Sequence, residues 1–493
     1  MQNFSDFICV IGAGPSGIFL THELLSRGKK ILLVESGNFE SESSLLDYSD
    51  YFFETPSMLP KDVHRVGGGS NYWIGRVGEF TTLDFEKING VRNEEWPFKK
   101  TELETYYRKC YERLLNNSTK DDEFVQSYIK HPELLSRGLR IRPIRYIDPK
   151  TFIKLLQEDI KNSNLIVLTD HLCIDIAEDE GTDCPVLVLQ DIDKNYIKIM
   201  PKDVVIAGGT LQSTKLVLNS PKIMEKLSNK IVGKYLMEHL EGHVGKLTIF
   251  EKNLQLLADL SLNSERKLTN DILANYGFSL SVSEPLTNKL SLINISLEII
   301  HLRTKYKFDP VKCDNANRIV KKIVKIFFLI ERGIRGSIKR VFAYLNLKIF
   351  KKIEFSLWMK AEELPYYDSE LRVNSLKRNS LVYNHKISIE TSNEIRKALG
   401  ILKEKIELNN LGYVKYYPEI SKSKSILKMR PNWHPMGTLR IGNASNGVVN
   451  ENLLVHGTKH VYVLSPAVFP TGSNQNPVFT TLALAIKLAD HFV

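Results

Sequence analysis

Asp6-Phe7-Ile8-Cys9-Val10-Ile11-Gly12-Ala13-Gly14-Pro15-Ser16-Gly17 is the stretch whose reading decides the fold. Asp6 to Ile11 is a short apolar run suited to a strand buried on both faces. Three glycines follow at the spacing G-x-G-x-x-G, and then Ile18, Leu20, Thr21, Leu24 and Leu25 recur at helical spacing. Lys30-Ile31-Leu32-Leu33-Val34 reads as a second buried strand and ends in Glu35. Glycines alone also make ordinary turns. Strand, glycine turn, helix, strand and terminal acid in that order specify a dinucleotide-binding unit. Gly12 makes the tight turn, Gly14 lets backbone N–H groups approach a pyrophosphate, and Gly17 lets helix and strand pack closely. Glu35 can hold ribose hydroxyls and would repel a 2′-phosphate. The fingerprint by itself does not separate FAD from NAD.

Two further glycine elements answer to the first. His64-Arg65-Val66-Gly67-Gly68-Gly69-Ser70-Asn71-Tyr72-Trp73 flanks adjacent glycines with Val, Tyr and Trp, which marks close backbone approach more than a free loop. Val204-Val205-Ile206-Ala207-Gly208-Gly209-Thr210 again runs strand into glycine turn, with Leu211, Thr214, Leu216 and Val217 opening a helix. Between them lie a polar region read as helical, roughly 100–162, and a β-hairpin region, roughly 165–200. Near the end, Asn432-Trp433-His434-Pro435-Met436-Gly437-Thr438 supplies a candidate base in His434. Val461-Tyr462-Val463-Leu464 reads as a short buried strand. Asn474-Gln475-Asn476-Pro477-Val478 then leads into a final helix and offers Asn476 as a polar orienter at a helix N-terminus.

At 493 residues the chain exceeds one ordinary core, so two or more domains are expected. With 43% hydrophobic and 25% charged residues it is globular in composition. The five cysteines are odd in number, scattered and without a CxxC pair, which argues against a disulfide framework and a zinc site and suits a reducing compartment. No metal site is expected. No stretch approaches eighteen apolar residues, so no membrane span is expected, and the apolar run at Phe7–Ile11 is a strand, not a signal peptide.

The chain resembles the glucose–methanol–choline (GMC) oxidoreductases, and its ending is similar to their pyranose-oxidase and sugar-dehydrogenase branch. The resemblance rests on the N-terminal fingerprint, Gly67–Trp73, Ala207–Leu218, Val232-Gly233-Lys234-Tyr235-Leu236-Met237-Glu238-His239, Glu363-Leu364-Pro365 with Ser369, and the C-terminal segment. It implies an α/β fold: a Rossmann-like FAD-binding domain with a discontinuous α+β substrate domain built on an antiparallel sheet. The implied boundaries are 1–240 for FAD, with insertions at roughly 75–200, then 241–425 for substrate, then 426–493 returning to the FAD domain. FAD is the implied cofactor, with Gly12, Gly14, Ser16, Gly17, Glu35, Gly68, Gly69, Ser70, Asn71, Ala207, Gly208, Ser465, Asn476, Pro477 and Val478 around it. His434 matches the family's catalytic histidine and Asn476 its second position. They imply oxidation of a sugar or polyol hydroxyl, free or carried on a glycan or lipid, by hydride transfer to flavin N5 with His434 as base. The sequence departs from the family twice. Tyr72 stands where some relatives tether the flavin through histidine, so non-covalent FAD is expected. Leu464-Ser465-Pro466 lacks the common acidic residue, which leaves Ser465 as the candidate donor there.

Within 241–425, Val244–Phe250, Gly277–Val282 and Leu290–Leu297 read as antiparallel strands. An insertion, 305–352, interrupts them. From Asn317 to Lys352 it holds eleven Lys or Arg against one acid, Glu331, a net of +10 that equals the charge of the whole chain. Its apolar positions recur at helical spacing. A pair of packed surface helices and a basic amphipathic element lying on an anionic membrane are both compatible with that pattern. Nucleic acid is not expected, because the cations are interleaved with aliphatic residues. The expected location is cytoplasmic, including the inner face of the membrane. A flavin-fold lyase and a non-catalytic membrane-surface protein remain alternative readings, and the electron acceptor stays open.

Overall fold

The computed structural model describes residues 2–46, 51–53, 63–115, 138–179, 181–250, 261–262, 276–300, 352–374, 380–421 and 433–493. The basic stretch beginning at Asn317 lies outside the described residues, apart from Lys352 at the start of a strand.

Among the described residues the first sheet has seven strands. β1 (Gln2–Ile11) lies between β2 (Lys30–Val34) and β9 (Tyr196–Ile206), and β6 (Leu165–Leu168) continues outward from β2, all parallel. β9 has two halves. Its first half pairs antiparallel with β8 (Pro185–Asp191), itself paired with β7 (His171–Glu178), while its last residues, Val204–Ile206, pair parallel with β18 (Val461–Val463). The hairpin expected at roughly 165–200 is therefore present, and its last strand runs on into the parallel layer. The parallel strands are apolar throughout because both faces are covered: Ile31, Leu32, Leu33, Val204 and Val205 are fully buried. Helix α1 (Pro15–Leu25) follows the first glycine turn, α5 (Gly209–Leu218) the second, and α8 (Val478–His491) closes over α1 and α3 (Lys100–Leu115). Phe479 of α8 stacks on Tyr107, and Arg27 reaches Asp490 across 463 positions of sequence.

Among the described residues the second sheet has eight strands. β17 (Gly412–Tyr416), β10 (Leu240–Phe250), β14 (Lys352–Ala361), β13 (Ile295–Ile300), β12 (Tyr276–Val282), β5 (Leu139–Tyr146) and β4 (Arg76–Val77) follow one another antiparallel, and β11 (Ser261–Leu262) pairs parallel with β13. Helix α7 (Ile389–Leu408) packs Ile395, Ala398, Leu399, Leu402 and Ile406 against it, at the 3–4 spacing of one helix face. A small third sheet joins β3 (Tyr51–Phe53), β16 (Leu381–Asn384) and β15 (Glu370–Val373).

Two readings of local structure are corrected. The polar region at roughly 100–162 is not helical throughout: between α3 and α4 (Thr151–Asp159) it contains β5, which joins the second sheet. Leu139, Ile141 and Ile144 are its apolar positions, and Arg142 and Arg145 are buried as well, so its polarity concealed a strand with both faces covered. The stretch Leu290–Leu297 is not one strand. Helix α6 (Glu284–Leu290), started by Pro285 in its first turn, ends at Ser291 with φ +47°, and β13 begins only at Ile295. The short α2 (Thr82–Phe85) carries a capping box between Thr81 and Asp84 that also serves the C-terminal loop. Among the described residues no helix is long and apolar enough to cross a membrane.

Candidate active site

The glycine elements converge at the C-terminal ends of β1, β2 and β9. Gly12 has φ +106°, and a Cβ there would stand 2.9 Å from the Ala207 carbonyl, so the first turn and the second are in backbone contact. The triple-glycine loop lies over both, with the Gly67 N–H donating to Ala13 O at 2.8 Å. Between them is a cavity of about 410 Å³. Gly12, Gly14, Ser16, Glu35, Gly68, Gly69, Ala207 and Gly208 line it, as do His64, His171, Gln212 and Lys215. The N-cap of α1, Gly14, has no side chain to satisfy the first-turn N–H groups, which leaves them for an anion. The Glu35 carboxylate closes the far side and accepts from Ala13 N at 2.7 Å and Gly37 N at 3.1 Å. A helix N-terminus without a side-chain cap, a backbone-lined turn and a carboxylate at the strand end fit the adenosine and pyrophosphate half of a dinucleotide.

Other residues selected from sequence are not among those that line this cavity. Gly17 sits under the turn against Gly12 and Ala207. Ser70 Oγ donates to Gly67 O, and Asn71 Nδ2 donates to Val66 O and Gly68 O, bracing the glycine loop from inside. Ser465 caps a short 3₁₀ turn by accepting from Ala467 N. Pro477 is the N-cap residue of α8 and Val478 its first residue. Tyr72 is 56% exposed and donates its hydroxyl to Glu42.

A second constellation forms where the C-terminal segment meets β10 and β14. The backbone of Met436 exchanges two hydrogen bonds with Met237, Thr210 Oγ1 donates to Pro435 O at 2.6 Å, and the His434 N–H donates to Glu238 at 2.7 Å. Trp433 holds φ +62°, an uncommon backbone state for a bulky residue that turns the chain just before His434. The rings of His434 and His239 lie 4.8 Å apart. Among the described residues, His434 Nδ1 and both ring nitrogens of His239 are sealed from solvent without a hydrogen-bond partner. Glu241 and Lys360 face each other across β10 and β14, with Lys360 Nζ 2.9 Å from Glu241 Oε1. The same ammonium donates to Asn476 Oδ1 at 2.7 Å. Asn476 is carried there by a loop pinned through Ser473 to Asp84 and through Asn474 to Arg142.

The electrostatics follow from burial and from this lysine. Burial, then the Lys360 charge, with Arg76 adding and Glu241 opposing, pushes the His434 imidazole down to about 4. Burial and the neighbouring His434 hold His239 well below the usual imidazole range. Burial lowers Lys360, against the attraction of Glu241 and Glu298. Behind His434, burial pushes the Glu238 carboxyl up to about 7, although it accepts from Tyr383 OH at 2.7 Å. One ligand atom each of His239, Glu241 and His434 lie within 4.8 Å of one another, a grouping a divalent cation could use. The Lys360 ammonium already supplies positive charge to that carboxylate.

The sequence singled out His434 and Asn476 but missed His239, Glu241 and Lys360. His239 ends the stretch quoted from Val232, and Glu241 lies two residues further on, within β10. Lys360 gave no signal, since a lysine in an alternating strand reads as solvent-facing.

Residues 371–485 match the family described as GMC oxidoreductase, over the segment that carries His434, Asn476 and α8. Over that segment the chain is similar to the GMC oxidoreductases. It is an FAD-dependent enzyme acting on alcohols, and the cavity above fits that cofactor. Solved GMC-type structures resemble it from end to end. A pyridoxine 4-oxidase from Mesorbium loti superposes with a TM-score of 0.57 at 14% identity, covering 98% of each chain. A formate oxidase from Aspergillus oryzae RIB40 gives 0.56 at 14% identity, covering 99% of this chain and 98% of that one. A fungal aryl-alcohol oxidase gives 0.54 at 13% identity, covering 99% of both. At such identities the likeness concerns the fold. No curated protein matches the chain in sequence.

Proposed function

We propose that this GMC oxidoreductase oxidises a hydroxyl group of a sugar or polyol, with His434 as base and Asn476 as its hydrogen-bonding partner. The observation that carries the reading is the junction of His434, His239, Glu241, Lys360 and Asn476 at the seam between the C-terminal segment and the second sheet. Residues 1–240, apart from β4 and β5 in the insertion, which join the second sheet, make the Rossmann-like half that would hold FAD through the glycine turns, the α1 N-terminus and Glu35. Residues 241–425 shape the substrate side, and 426–493 bring the catalytic pair back to the cofactor. The chemistry that FAD supplies when bound is acceptance of the hydride at flavin N5. Neutral His434 takes the hydroxyl proton at Nε2, because its Nδ1 is sealed. Asn476 hydrogen-bonds the same oxygen without titrating. A polyhydroxylated substrate suits walls rich in charged and polar groups, since each hydroxyl both donates and accepts. Buried polar groups left unpaired by a plain hydrocarbon alcohol would discriminate against it. Tyr72, turned outward to Glu42, leaves FAD non-covalently held.

Anaerobic mixing with sugars and polyols tests the reading: the right substrate bleaches the flavin, whereas a lyase substrate is converted without bleaching. The His434→Ala protein should keep its FAD and reduce it roughly 10²–10⁴-fold more slowly, the range for a positioned base. Asn476→Ala should slow it less. Normal reduction in His434→Ala would refute the assignment. The location is cytoplasmic, with the cation-rich sequence from Asn317 to Lys352 as a contact for anionic lipid and for a lipid-carried substrate. Flotation with anionic vesicles at low salt checks that contact, and protein absent from the floated fraction removes it.

A further inference from the structure

An asparagine amide can turn either its oxygen or its nitrogen toward a neighbour, and the hydrogen-bond network decides which. At Asn476 the network contains an ammonium. Lys360 Nζ has donors and no acceptor, so only Oδ1 can meet it, as it does at 2.7 Å. The amide nitrogen is thereby left for the opposite side. Lys360 is itself immobilised: it is fully enclosed in β14, directly opposite Glu241 of β10, whose other oxygen accepts from Trp358 Nε1 at 3.1 Å. A buried ammonium is a poor device for stability, because desolvation consumes most of what its ion pair gains. It is a good device for fixing two acceptors.

We infer that Lys360 is a positioning residue that locks Asn476 as a hydrogen-bond donor, so that Nδ2 presents an N–H to the substrate oxygen as His434 removes its proton. The inference rests on the roles proposed above for His434 and Asn476. Its chemical sense lies in the sign of the charge: the oxygen becomes negative as the proton leaves, and a donor stabilises it where an amide oxygen would repel it. The same lysine acts on His434 through space. The charged and titratable groups facing that imidazole are His239 just before β10, Glu241 within it, Arg76 from β4 with its partner Glu298 on β13, Glu238 at the backbone, and Lys360. Lys360 and Arg76 disfavour protonation of His434, and Glu241 opposes them.

The test is anaerobic stopped-flow flavin reduction of the FAD-loaded protein across pH. The probe is whichever of glycerol, sorbitol, glucose, galactose and benzyl alcohol bleaches the wild type. Lys360→Met should slow reduction roughly 10–100-fold, short of the ~10²–10³-fold typical of deleting an oxyanion donor. Its acid limb should move to higher pH, since one cation that keeps His434 neutral is gone. Lys360→Arg, also donor-only, should recover most of the rate. In the Asn476→Ala background, Lys360→Met should cost little more, because no amide remains to orient. If Lys360→Met leaves Glu241 too exposed to fold around, Lys360→Met with Glu241→Gln removes both charges and carries the same comparison. A wild-type rate and pH profile in Lys360→Met, or an equal loss with and without Asn476, overturns the inference. Full activity in His434→Ala or Asn476→Ala, or no bleaching by any probe, instead overturns the reading beneath it.

Discussion

Gly17 opposes two physical effects with opposite signs. It is the third residue of α1, so helix propensity alone says that Gly17→Ala should stabilise the protein by about 0.8–1.0 kcal/mol. The structure says otherwise. A Cβ on Gly17 would stand 1.9 Å from the Gly12 carbonyl oxygen and 3.3 Å from Ala207 Cβ, where contacts below 3.0 Å force something to shift. The obstacle is the backbone of the turn, which cannot rotate away as a side chain would. Overpacking of this kind costs about 1–3 kcal/mol and sometimes more, and a backbone obstacle belongs at the upper end. Offset by propensity, the net destabilisation is about 2 kcal/mol. The displacement would push the α1 N-terminus off the cavity, so FAD affinity should fall at least ~10-fold, each tenfold being about 1.4 kcal/mol. Denaturant unfolding of the apoprotein and fluorescence titration with FAD measure both. Gly400 is the matched control: it lies within α7, and among the described residues a Cβ added there would meet nothing within 4 Å, so Gly400→Ala should stabilise by about 0.8–1.0 kcal/mol. A Gly17→Ala protein as stable as the wild type, with unchanged FAD affinity, would refute the close-approach argument.

Three further outcomes are expected. The pH profile of kcat/KM should hold its plateau well below 6.5, because neutral His434 is the active form and burial with Lys360 lowers it to about 4; activity falls only as pH drops through that value, and an acid limb near 6.5 would contradict the desolvated site. Glu35→Ala should weaken FAD retention without altering substrate preference, while acid treatment of the wild type should release all its flavin, both read by fluorescence of the separated protein and supernatant.

The glycine turns were legible because each needs a residue type that nothing else can replace: a Cβ at Gly12 or Gly17 would strike backbone. The strands β2 and β18 were legible because burial on both faces leaves an unbroken apolar run. The site was legible only by halves. His434 and Asn476 stand in short, distinctive stretches, whereas Lys360 and Glu241 acquire meaning only through the register that sets them opposite each other in the second sheet. Register between β10 and β14 is decided by long-range pairing, so no local pattern reports it. β5 was obscured for a related reason: two of the arginines that made it look solvated, Arg142 and Arg145, are buried, with Arg142 donating to Asn474 in the loop that carries Asn476.

The parallel pairing of β18 with β9 bears on how the molecule assembles. Val204–Ile206 are flanked by β1 from the beginning of the sequence and by Val461–Val463 from near its end. Until those distant residues dock, β9 presents an open apolar edge, the kind of surface that recruits strands from other chains. Closing it requires contacts of very high sequence separation, which form late and slowly. A chain emerging in order therefore carries its glycine turns well before it can complete their sheet, and the intermediate is the species most exposed to aggregation. Refolding yield should depend more steeply on protein concentration than the stability of the finished enzyme would suggest, with the edge of β9 as the vulnerable point.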